Sequence, residues 1–155
     1  NGSSRTYVAW QWIANGGTTS TNGDGTVDVT IQVNSTAGFS IMRWTGNGGT
    51  SGTVGHGLGK KPAFWIWKDI NSATGWYVYH QRMGTSAWLV LNDDSAATTG
   101  NTAAWGGVEP TTTVFTHGWG FVNQNDIIMY IWAEIEGYSK FGDYFGNSFG
   151  GFPIS

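Results

Sequence analysis

Cysteine is absent from the 155 residues. That excludes a disulfide framework and any thiolate metal site, and it leaves cysteine usage silent about compartment. Charge is scarce as well. Seven Lys and Arg with ten Asp and Glu make up 11% of the chain, for a net charge of −3 and a pI near 5.4. Such a surface has no electrostatic grip on nucleic acid or on an anionic membrane, so neither is expected as a partner. No apolar run reaches the roughly 18 residues a membrane-spanning helix needs. Asn1-Gly2-Ser3-Ser4 is not a signal peptide and no Met opens the chain, so a piece of a longer protein or a processed product is expected.

What the chain holds instead is glycine and rings: 25 Gly, 10 Trp, 8 Phe and 6 Tyr. Gly and β-branched residues are poor helix formers, whereas Trp, Tyr, Thr and Val suit pleated strands. Gly and Asn supply the positive-φ corners between them. The expectation is an all-β fold, a jelly-roll-like β-sandwich of about nine or ten strands with essentially no helix.

Val27, Val29, Ile31 and Val33 alternate with Asp28, Thr30 and Gln32, the cleanest period-two segment. Strands are also predicted over 6–13, 39–44, 63–68, 76–80, 87–92, 112–117 and 127–135, with 138–144 following Gly137. The run after Pro62 (AFWIWK) is apolar on both faces, which predicts a central strand, and Trp76 to His80 is its natural hairpin partner. Asn15 to Gly25 and Thr45 to Gly52 read as loops.

Two echoes bear on organisation. Tyr7 to Trp12 resembles Ile127 to Trp132, and Arg43 to Gly48 resembles Asp143 to Ser148. A tandem array cut mid-repeat leaves such traces, and so do two aromatic strands alike by chance. The predicted organisation is a strand in 1–14 belonging to or completing a neighbouring unit, a sandwich over 15–148, and a tail in 149–155 where a next unit starts.

Several stretches carry a family resemblance: Gly38 to Ile41 with Trp44 to Gly48, Val54 to Gly59 (VGHGLG) followed by Pro62, Trp76 to His80 (WYVYH), Leu91-Asn92, Pro110-Thr111 with Val114-Phe115, and Ala133 to Gly142 (AEIEGYSKFG). Over residues 38–148 the chain resembles a β-rich domain found, often in tandem, in tail-fibre and other virion-associated proteins of marine bacteriophages, cyanophages among them. The resemblance implies a virion or extracellular component and carries no catalytic residues or cofactor.

The residues themselves give little chemistry. His56, between glycines, is expected to be a turn residue bonded to nearby backbone. His80 and His117 form no ligand pair with it. Glu109, Glu134, Glu136, Asp93 and Asp94 raise glycoside hydrolysis, but no spacing defines opposed carboxylates, and Glu134 and Glu136 read as one strand face. Asn22, Asp24 and Asp28 are candidate cation ligands lacking a closing bidentate Glu, and an Asp-Gly turn explains them equally. No nucleophile elbow or phosphate loop is present.

The rings remain. Trp65, Trp67, Trp76, Tyr77, Tyr79, Trp88, Trp105 and Trp119 are too many to be all interior without crowding. The expected function is therefore a non-enzymatic structural domain of a phage fibre or similar filament, whose partners are copies of itself. Tyr7, Trp10, Trp12, Tyr144, Phe145 and Phe152 are the assembly candidates. The alternative is a carbohydrate-binding module recognising a host-surface glycan through Trp76, Tyr79, Trp88, Asn92 and Trp105, because a sugar's C–H face stacks on an exposed ring. A tailspike-type hydrolase stands behind both.

Overall fold

The computed structural model describes residues 6, 8–9, 11–119 and 124–144. They form an all-β, sandwich-like fold, as expected. The strands are β1 (Ser20–Asn22), β2 (Val29–Asn34), β3 (Phe39–Thr45), β4 (Gly52–Gly55), β5 (Pro62–Asp69), β6 (Tyr77–His80), β7 (Leu89–Val90), β8 (Val114–His117) and β9 (Asp126–Ala133). Seven build one antiparallel sheet in the order β1-β2-β3-β9-β5-β6-β7, and β4 pairs with β8 in a second.

Strand β9 lies at the middle of the large sheet, between β3 and β5. Its sequence, DIIMYIWA, is apolar at nearly every position, as a strand covered on both faces requires. Alternation sorts its side chains. Ile127, Met129, Ile131 and Ala133 face the small sheet, while Ile128, Tyr130 and Trp132 face the other way.

The inner layer is made of rings in register. Trp65 of β5 stands opposite Tyr79 of β6 and stacks on it at 3.7 Å, and Trp67 stacks on Tyr77 at 5.0 Å. Phe115 of β8 leans on Trp65 at 5.1 Å from the small sheet. Trp105, on the loop before β8, meets Trp65 edge-on at 5.3 Å, and its Nε1 donates to the Ala87 carbonyl at 2.8 Å. As expected, the eight rings are not all interior, since Trp76 stays partly exposed on the other face of the sheet. Trp65, Trp67, Tyr79, Trp88 and Trp105 are all buried, with Tyr77 and Trp119 packed against them, because stacked and edge-on rings fill the space between unequal sheets. Trp65→Ala should therefore cost about 3–5 kcal/mol in urea unfolding.

Two expected strands differ. The described residues of 6–13 form no strand, and 138–144 contributes only a bridge from Ser139 to Ile135. Ser20–Asn22, read as loop, is an edge strand pairing with β2. The carboxylate of Asp69 closes β5. It accepts from the Asn71 amide, the Ser72 hydroxyl and Asn125 Nδ2, tying the β5 turn to the start of β9. Burial pushes its pKa up, but those hydrogen bonds and the Lys68 charge outweigh it and hold the group below the ordinary 3.8.

Candidate binding surface

The outer face of the large sheet is the candidate surface. A row of apolar side chains crosses four strands in register: Ile41, Tyr130, Ile66 and Val78. Trp76 flanks the row, 6.4 Å from Tyr130, and Ile128 lies beside it. Ile41, Tyr130, Ile66, Ile128 and Trp76 remain partly exposed. Arg43 and Lys68 border the row on either side of Ile128, Arg43 paired with Asp126 at 2.8 Å.

A second row, Phe39, Trp132, Phe64 and His80, lies one pleat along. Here the face is roofed on two sides. Trp12 packs edge-on against Trp132 at 5.5 Å and near Phe39 at 6.2 Å. Phe141 stacks flat on Phe64 at 5.4 Å. Ala14 is buried in the same cluster, and Asn34 Nδ2 donates to the Ile13 carbonyl. Between these roofs runs a groove of about 450 Å³ whose floor is Phe39, Trp132 and Phe64.

A family model described as a domain of unknown function, DUF7483, matches residues 1–153. The chain belongs to that family. No curated protein and no solved structure matches it. The span matched to DUF7483 includes residues 1–14 together with the sandwich.

The predicted glycan platform of the DUF7483 domain is not assembled. Tyr79, Trp88 and Trp105 are buried on the inner face, so no sugar reaches them. Trp76 and Asn92 do meet at the surface, where Asn92 Oδ1 accepts from the Trp76 amide at 2.8 Å. Of the assembly candidates, Trp12 is 54% and Tyr144 77% exposed, while Tyr7, Trp10, Phe145 and Phe152 lie outside the described residues.

The candidate cation loop is a clip. Asn22 turns its amide nitrogen toward Asp24 Oδ2 at 2.9 Å and uses its oxygen to accept the Asp24 amide, so its polar atoms are engaged within the turn. Thr26 and Thr53 then bond through backbone and hydroxyl, docking the loop on β4. Among the described residues no three His, Cys, Asp or Glu side chains are placed to hold a metal.

His56 has the structural role expected of it. Its Nδ1 accepts from the Leu58 amide at 3.2 Å, Nε2 lies 3.4 Å from the Thr111 carbonyl, and Gly57 and Gly59 take φ near +69° and +68°. Of the candidate carboxylates, Glu134 and Glu136 line one open cavity of about 650 Å³ together with Lys60 and Lys140. Glu109 pairs with Lys61 at 2.7 Å, and Glu134 accepts from Gln81 and from the Phe141 amide. Glu134 and Glu136 do not share a strand face, because β9 ends at Ala133 and Glu136 sits in the exposed turn beyond it. Sequence reasoning missed Phe39, Phe64, Trp132, Tyr138 and Phe141 as residues lining one groove. The available signal was parity: in β5, Phe64 and Ile66 alternate with the core residues Trp65 and Trp67.

Proposed function

We propose that this domain is a non-catalytic structural unit of a virion fibre or comparable extracellular filament, associating with copies of itself through the outer face of the large sheet. One observation carries the reading: the row Ile41–Tyr130–Ile66–Val78, with Trp76 and Ile128 beside it, is a contiguous apolar strip that the described chain leaves partly open. Strips of this kind, bordered by charge, suit protein contact, with Trp and Tyr as anchors. The filament context comes from the resemblance of residues 38–148.

Sedimentation velocity across a wide concentration range tests it. The native domain is expected to associate as concentration rises. Tyr130→Glu and Ile41→Lys, each placing a charge on the strip, should leave a monomer with unchanged circular dichroism. A native domain that stays monomeric throughout removes the proposal.

A further inference from the structure

We infer that the groove between residues 11–13 and Tyr138–Phe141 binds a pyranose unit of a neutral glycan. The groove's size comes first. At about 450 Å³ it falls within the usual range for small-ligand sites and suits one or two sugar rings better than a long apolar chain. Its lining comes second. None of the residues bordering it is charged, so no cation is present to recognise a phosphate, sulfate or uronate.

The polar groups at the rim argue against a purely apolar occupant. Gln11 lines the groove and its amide makes no hydrogen bond among the described residues. The Tyr138 hydroxyl likewise makes none, on a residue 70% exposed. Asn34 gives one N–H to the Ile13 carbonyl and accepts from the Ala37 amide, which leaves a second N–H to donate. A fatty chain would leave all three unused.

Trp12 supplies the stacking partner. Its contacts with Phe39 and Trp132 fix the ring, yet the residue stays 54% exposed. A pyranose presents an apolar C–H face to such a ring and equatorial hydroxyls at its edge, where amides and a phenol act as both donors and acceptors. The ring is held by neighbours on the protein, so little ordering cost falls on binding.

The groove shares Ile66 with the strip used for self-association but is not lined by Tyr130 or Ile41, so substitutions at Trp12 and at Tyr130 tell the two apart. Isothermal titration of the native domain with maltohexaose, cellohexaose and laminarihexaose is expected to show binding to at least one. An oligogalacturonate of similar length should show none. Trp12→Ala and Tyr138→Ala should each weaken that binding by about tenfold or more, both with unchanged circular dichroism and Tyr138→Ala, 70% exposed, with an unchanged melting temperature. Tyr130→Glu should leave it intact. Absence of binding to all three hexaoses overturns the inference, as does binding that survives both substitutions. A Trp12→Ala variant that dissociates an oligomer and leaves hexaose binding untouched overturns it too, by making the groove a contact between copies.

Discussion

Between pH 7 and pH 4.5 the domain is expected to lose on the order of 5 kcal/mol of unfolding free energy, most of it above the range in which carboxylates titrate. Two buried imidazoles are the cause. His117 sits among Trp67 at 4.6 Å, Trp44 at 5.6 Å, Trp105 at 5.6 Å and Phe115 at 6.3 Å, and burial pushes its pKa down to about 3. Burial likewise lowers His56 to about 4, although the Thr111 carbonyl and Asp24 pull it back upward. The sign follows from linkage. The unfolded chain takes up a proton at each ring near pH 6.5, whereas the folded chain does so only near 4 and 3. The unfolded state therefore gains protons first as pH falls, and each ring withdraws about 2–3 kcal/mol by pH 4.5.

Urea titrations followed by tryptophan fluorescence at the two pH values measure this directly. His56→Gln, which has no proton to gain, should roughly halve the pH dependence. A change under about 1 kcal/mol in the native protein would show that the rings accept protons in place. Asp69 and Asp126 act in a lower window. Asp126, held below 3.8 by the Thr45 hydroxyl and Arg43, and Asp69 contribute stability that is present above about pH 4 and lost only with further acid.

Gly118→Ala is expected to cost about 3 kcal/mol, the upper end of what forcing an extra methyl into packed structure costs. A methyl group there would strike the main-chain carbonyl of Ala103 and lie 3.5 Å from that of Ala104. Backbone on both sides prevents either partner from yielding cheaply. The Gly118 amide also donates to the Ala104 carbonyl at 2.8 Å, locking the end of β8 against the loop that carries Trp105. Pushing that loop outward withdraws the Trp105 indole from Trp65 and Tyr79. Gly142→Ala, with nothing near the new methyl, is the control and should change stability little. Equal urea midpoints for the two variants would contradict the argument.

Periodicity made most of the large sheet legible. The alternation of 29–33, the two-faced run of 63–68 and the apolar 127–133 all reappear as strands β2, β5 and β9. Strand β4 did not announce itself. Gly52-Thr53-Val54-Gly55 has little strand propensity, and it is a strand because β8 pairs with it and because Gly25 lets the clip approach Thr53. Residues 6–13 misled for the opposite reason. Among the described residues of that segment none joins a ladder, and Trp12, with the following Ala14, packs on the sheet's outer face. The groove was illegible because it joins segments near 12, 34–39, 64–66 and 132–141, a meeting that only the strand order creates.

The position of β9 also sets the order in which this chain can be completed. A nascent polypeptide that has emerged only through residue 119 holds β3 and β5 but not the strand that joins them. Their facing edges stay unsealed until β9 has been made, and such distant pairing is slow. During that interval the open slot accepts any chain with the same DIIMYIWA strand, which makes exchange between adjacent copies a hazard of synthesis.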